Sequence, residues 1–283
     1  MVINGRTDLA SEANAMAESQ GKKLRGIIAR EERLHGFALT SVEITSPEGA
    51  AALNRPIGRY FTLELGKDLL RYSEDFPQAA QAVADLILRC AGHDRFGLVL
   101  IAALGNPDIT PDAVGSLAAS NILVTRHLKR SDPDTFASFC STALCRTGVL
   151  GTTGVESARQ VQTLCRELKP DLVIAVDALA GADGEKLCRN IQVCSTGIAP
   201  GSGVGNDRAA LNAETLGVPV VAVGVPTVID AALLSDDKSL SGMFVTPRGI
   251  DSQVRSVSRI IGYGINLALH PGITVGDIDM LVG

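Results

Sequence analysis

The chain contains no C-x-x-C pair, no H-E-x-x-H pair and no apolar run long enough to cross a membrane. Its six cysteines, Cys90, Cys140, Cys145, Cys165, Cys188 and Cys194, stand mostly in apolar or helical settings. They read as small buried hydrophobes of a reducing compartment, and their spacings do not suit a structural zinc site. The four histidines, His35, His93, His127 and His270, are scattered. A net charge of −5 with no basic tail or stripe disfavours direct binding of nucleic acid. The opening Met1-Val2-Ile3-Asn4-Gly5-Arg6-Thr7-Asp8 lacks the apolar stretch of a signal peptide, so a cytoplasmic protein with no membrane partner is expected. No repeat or low-complexity segment interrupts the chain.

What is present is enough apolar material for one large core: 46% of 283 residues are hydrophobic and 20% charged. The first 35 or so residues carry Ala, Glu, Lys and Leu at helical spacing, which predicts two helices broken near Gly21. Phe37–Ile44 and residues 59–65 alternate apolar and polar positions, which predicts an antiparallel strand pair at a sheet edge. Residues 74–90 predict an amphipathic helix. From there a strand–helix rhythm takes over, with apolar runs at Leu98–Leu104, 172–176, 191–193 and 218–225. Helices are expected over 111–128, 155–168 and 254–269, and a long polar loop over 131–148. Thr110 fits as the N-cap of the first of these, with Pro111 at the favoured first helical position. The alternation predicts a three-layer α/β/α sandwich with a mostly parallel sheet, plus the small antiparallel pair.

Two aspartates follow apolar runs of this rhythm, Asp112 after Leu98–Leu104 and Asp177 after 172–176. Ligands of open α/β sheets sit at the carboxyl ends of the strands. Two carboxylates brought together there can share a proton, one acting as acid and the other as base. Asp112 also has a plain reading, as a first-turn acid that the helix dipole would keep ionised. Asp177 ends an apolar strand, where a charge must be paired, hydrated or functional. The glycine-rich Gly201-Ser202-Gly203-Val204-Gly205-Asn206 matches neither phosphate-binding fingerprint. It reads as a loop needing positive φ, or as a set of N–H groups lining an active site. His127 is expected near the end of the 111–128 helix, too far from Asp112 to share a metal ion. Ser116 and Ser202 have no neighbouring histidine, so a serine triad is not supported.

The collinear motifs Arg6-Thr7-Asp8-Leu9-Ala10, Gly58-Arg59-Tyr60, Leu104-Gly105-Asn106 and Thr110-Pro111-Asp112-Ala113 resemble those of the germination protease of spore-forming bacteria. So do Leu123-Val124-Thr125-Arg126-His127-Leu128, Ala175-Val176-Asp177-Ala178-Leu179-Ala180, Pro200 to Asn206, Glu214-Thr215-Leu216-Gly217 and Gly224-Val225-Pro226-Thr227-Val228. The resemblance runs from about Arg6 to His270. It implies an atypical aspartic endopeptidase with a fold similar to that of hydrogenase-maturation endopeptidases; no cofactor is expected, and no metal, because the sequence offers no adequate ligand cluster. Such an enzyme degrades small acid-soluble spore proteins during germination in the spore core. It is made as a zymogen that trims its own N-terminus, and it assembles as a homotetramer. The catalytic pair falls on Asp112 and Asp177. Substrate-binding positions are expected at Asn106, Gly201, Ser202, Gly203, Gly205 and Asn206. The self-cleavage bond joins Asp8 to Leu9, so that residues 1–8 form a propeptide and 9–283 a single peptidase domain.

This chain departs from the family pattern in three places. Ala199 stands where the family's glycine-rich loop usually has a histidine, so that histidine is not essential here. A long insertion common in the family is missing between Leu234 and Val245. The segment ahead of the cleavage motif is short and polar, and is expected to be poorly ordered unless docked. Two other classes compete with the aspartic peptidase, a metallopeptidase of the maturation type and a non-catalytic α/β module that binds a phosphorylated ligand.

Overall fold

A computed structural model describes residues 7–21, 24–66, 69–202, 208–235 and 237–282. The chain begins with helix α1 (Ala10–Ser19), a hairpin of β1 (Ile27–Leu34) and β2 (Phe37–Ile44), the short α2 (Pro47–Leu53) and β3 (Gly58–Glu64). Then come α3 (Phe76–Ala91), β4 (Leu98–Leu104), α4 (Val114–Ala119), α5 (Arg126–Ser131), β5 (Ser141–Gly148), α6 (Leu150–Thr153) and α7 (Ser157–Leu168). The last third holds β6 (Leu172–Gly181), β7 (Asn190–Cys194), α8 (Ala213–Leu216), β8 (Val220–Asp230), β9 (Phe244–Val245), α9 (Ile250–Leu269) and α10 (Val275–Val282).

Among the described residues all nine strands join one sheet, in the order β1-β2-β3-β7-β8-β6-β4-β5, with β9 pairing the far end of β8. The half comprising β5, β4, β6 and β8 is parallel. The half from β1 through β7 is antiparallel, and β7 joins it to β8. Central strands β4 and β6 are apolar at nearly every position because both of their faces are covered. On one face α3, α4 and α9 pack over Val99, Ile101, Ile174, Val176, Val221 and Val223. On the other, α7 and α8 cover Leu100, Ala102, Val173 and Ala175, while α1 and α2 cover Val42, Ile44 and Tyr60. The sandwich is thus three-layered, and the expected antiparallel pair is part of its one sheet.

Several local expectations are overturned. The second N-terminal helix is strand β1. Its charged Arg30-Glu31-Glu32-Arg33 looks helical, but this is the sheet's outer edge, where exposed charge is tolerated and blocks further pairing. The turn into β2 has His35 at φ 49° and Gly36 at φ 89°, the two positive values that suit a tight two-residue hairpin. The expected loop over 131–148 ends in β5, a half-buried edge strand too polar to stand out. The expected helix over 111–128 is three pieces: a 3₁₀ turn at Thr110–Asp112, then α4, then α5. The break between α4 and α5 is tertiary in origin. Buried Asn266 of α9 accepts from Leu123 N at 2.9 Å and donates to Asn121 O at 2.8 Å, and those backbone groups would be engaged in a continuous helix. His127 therefore lies in the first turn of α5, exposed, and not near the end of a long helix. Thr110 is no N-cap either, since no side chain caps that turn.

Candidate active site

The site is made where two neighbouring strands part. β4 pairs with β6 only as far as Ala103 opposite Val176, while β6 runs on beside β8 to Gly181. Asp177 is the first residue of β6 beyond its partner, so it lies inside the strand and not at its end as the sequence suggested. The space vacated by β4 is the mouth of the cleft, as expected for the carboxyl edge of a parallel sheet.

Beyond β4 the chain turns at Gly105, which sits at φ +90°. A Cβ there would meet the carbonyl oxygen of Asp112 at 1.9 Å, so only glycine lets the loop fold back this closely. Gly115 has the same function one step on. Its absent Cβ leaves room for the carbonyls of Leu104 and Val176, seating the start of α4 on the ends of β4 and β6. Thr227 of β8 donates to Pro111 O at 2.7 Å, and Thr110 donates to Asp251 of α9 at 2.8 Å. With these ties the loop delivers Asp112 to the cleft, where its Oδ2 accepts from Asn106 N at 2.8 Å.

Asp112 and Asp177 line one cavity of about 340 Å³, together with Asp8, Gly201 and Arg208. Asp177 is 4% exposed, and its Oδ1 accepts from Ala178 N at 2.9 Å. Burial pushes its carboxyl well above the usual range, and the negative charge of Asp112 pushes the same way. The N–H of Ala178 and the Arg208 guanidinium oppose that shift, while Asp8 adds to it. Burial also raises Asp112, against the Asn106 N–H and Arg208. The dipole-depressed value expected for Asp112 is therefore wrong, because a single 3₁₀ turn offers little dipole and the cleft removes water.

The N-terminal segment is docked in this cleft. Asp8 N donates to Ala180 O at 2.8 Å, and Asp8 Oδ2 accepts from Ala180 N at 2.9 Å, so the segment borders the free edge of β6. Asp8 Oδ1 accepts from Ser202 Oγ at 2.8 Å. Arg55 donates to Thr7 O, and Leu9 and Ala10 are fully buried. Residues 1–6 of the segment expected to be loose unless docked lie outside the described residues, and from Thr7 the chain is docked through these hydrogen bonds and the burial of Leu9.

Of the other expected site residues, Gly201 lines the cavity and Ser202 holds Asp8. Asn106 contributes its backbone N–H to Asp112, while its side chain accepts from Asp108 N at 3.0 Å. Gly203, Gly205 and Asn206 lie outside the described residues. Two neighbours went unread in the sequence. Arg208 carried no signal beyond its place after the glycine-rich loop. Gln192, 6% exposed, is a polar residue inside the buried strand Asn190-Ile191-Gln192-Val193-Cys194, the same anomaly that marked Asp177.

A family model described as germination protease matches residues 3–241. A germination protease of Caldanaerobacter subterraneus subsp. tengcongensis is 36% identical over 323 aligned residues, covering 100% of this chain and 99% of the relative. That of Clostridium perfringens strain SM101 is 35% identical, covering 98% and 99%. That of Bacillus cereus strain 03BB102 is 38% identical, covering 82% of this chain and 65% of the relative. An alignment of 323 positions to a chain of 283 requires at least 40 positions that this chain lacks, in keeping with a missing insertion.

Proposed function

The chain belongs to the germination protease family, which makes it a peptidase, and from that premise we propose that it is an aspartic endopeptidase working through Asp112 and Asp177. The observation that carries this reading is the shared cavity at the parting of β4 and β6, lined by two carboxylates with unequal surroundings, the charge of one acting on the other. Asp177, the more deeply buried, holds the proton. Asp112, which accepts a backbone N–H and feels Arg208, is the carboxylate that draws a proton from water. Hydroxide adds to the scissile carbonyl carbon as Asp177 lends its proton to the carbonyl oxygen. Collapse breaks the C–N bond, and the proton taken by Asp112 leaves on the amine. The pair titrates as a unit.

The substrates in this reading are small acid-soluble spore proteins, degraded in the spore core at germination. The first of its peptide bonds to be cut is the chain's own Asp8–Leu9 bond, releasing residues 1–8 as a propeptide and leaving 9–283 as the peptidase domain. The docking of Asp8 beside Asp177 supports this. The working assembly is a homotetramer. The deciding experiment is incubation of a purified small acid-soluble spore protein with the wild type and with Asp177→Asn, chelator present. Cleavage by the first and not by the second is expected, and equal cleavage by both rejects the dyad.

A further inference from the structure

The Asp8–Leu9 bond is bracketed by one side chain. Gln192 Nε2 donates to the carbonyl oxygen of Asp8 at 3.0 Å, and Gln192 Oε1 accepts from Ala10 N at 2.7 Å. A backbone carbonyl only accepts and a backbone N–H only donates, so these two bonds fix which end of the amide faces which group. The amide nitrogen therefore points at the carbonyl whose carbon would be attacked. Gln192 is itself 6% exposed and rooted in β7 between Thr62 of β3 and Gly224 of β8, so it is held in place before any reaction. The Asp8 side chain is fixed independently by Ser202 and Ala180 N. The bond is thus presented by contacts on the residue before it, on its carbonyl and on the N–H of the residue beyond.

Building on the self-cleavage reading above, we propose that Gln192 is the carbonyl-binding group of that reaction, its Nε2–H stabilising the negative charge that develops on the Asp8 oxygen. As Asp112 takes a proton from water and the water's oxygen bonds to the Asp8 carbonyl carbon, the carbonyl π pair moves to the oxygen, where Gln192 donates alongside the proton that Asp177 lends and regains on collapse. The pair returns as the C–N bond breaks, Leu9 leaves as an amine carrying a proton relayed from water, and Asp8 gains a terminal carboxylate. A donor placed in advance at such an oxygen contributes about 10²–10³ in rate. The Oε1 contact to Ala10 keeps the N–H on the far side in register, so a single amide addresses both halves of the scissile unit.

The test follows loss of residues 1–8 by mass spectrometry in the intact chain, for wild type, Gln192→Glu, Gln192→Leu and Asp177→Asn across pH 4–8. The charged groups sharing a cavity with Gln192 are Asp8 and Arg55, so each variant rate is divided by the wild-type rate at the same pH. Gln192→Glu keeps the acceptor for Ala10 but presents a second oxygen to Asp8. It should trim roughly 100-fold more slowly than wild type at neutral pH and recover toward the wild-type rate in acid, where the new carboxyl is protonated and donates again. Gln192→Leu should stay slow throughout. Should Gln192→Leu fail to fold, Gln192→Glu carries the test by its pH-dependent rescue. Wild-type rates in both variants, or equal slowing of both at every pH, overturn the role of Gln192 while leaving the dyad intact. Trimming by Asp177→Asn overturns the dyad reading instead, and no trimming by wild type overturns self-cleavage and this inference together.

Discussion

Asp177 and Gln192 are both register partners of Gly224, the first from the parallel side of the sheet and the second from the antiparallel side. They stand in one row across β6, β8 and β7, on the face away from α3 and α9. Gly224 has no side chain to separate them, and the space over it is taken by Leu179 of β6. The strand that joins the parallel and antiparallel halves thus brings a buried acid and a buried amide to one side of the sheet. Neither strand pair alone would do so.

Asp177→Asn should abolish cleavage while stabilising the fold at neutral pH. The folded pKa of Asp177 is raised, so its contribution is fully present below the unfolded value of 3.8 and is lost as pH rises through the folded value. Removing the ionisable group should therefore raise the melting temperature at pH 7 and change little near pH 3. An unchanged or lower melting temperature at pH 7 would contradict the burial argument.

Cleavage should follow a bell-shaped pH profile, its acid limb set by ionisation of Asp112 and its alkaline limb by loss of the Asp177 proton. Arg208 lowers both carboxyls. Arg208→Gln should accordingly move both limbs to higher pH, measured as initial rates on a fixed substrate. Limbs that stay put would remove Arg208 from the site's electrostatics.

Gly105→Ala should lose about 2–4 kcal/mol, combining a positive φ with a backbone clash against Asp112. Activity should fall further than the unfolded fraction explains, because the clash lies on the loop that carries Asp112. Urea unfolding beside activity at matched folded fraction separates the two effects.

His270 is 2% exposed and packs its ring tilted against Phe139 with centroids 5.2 Å apart, and burial pulls its pKa from 6.5 to about 4. It stays neutral in the fold while the unfolded chain protonates. The stability it preserves above pH 6.5 is lost as pH falls toward 4, on the order of 2–3 kcal/mol. His270→Leu should flatten that acid limb in thermal melts over this range.

Chelator should leave cleavage of a spore protein unchanged, because the chemistry assigned to the site comes from two carboxyl groups and an amide. Restoration of lost activity by zinc or nickel would move the protein into the metallopeptidase class.

The central strands could be read from the sequence because their burial is local information. Runs such as Leu98–Leu104 are apolar at nearly every position when both faces are covered, and a charge within or soon after such a run, as at Asp177 and Asp112, stands out against that background. The long amphipathic helices α3 and α9 were legible for the same reason, since their period is carried within the segment. The edge strands were not. β1 and β5 are defined by hydrogen bonds to a neighbour, and their side chains are polar because one face or edge meets water. The break between α4 and α5 belongs to Asn266, more than a hundred residues away. Sequence alone determined the layered core and the membership of the family, and it singled out Asp112 and Asp177 as candidates. Only the tertiary structure decided that Asp8 lies against β6, that Arg208 shares a cavity with both aspartates and that Gln192 holds the bond between Asp8 and Leu9. The first and last of these join residues 170 to 185 positions apart in sequence, and all three run through hydrogen bonds and electrostatics, which leave no periodic trace along a chain.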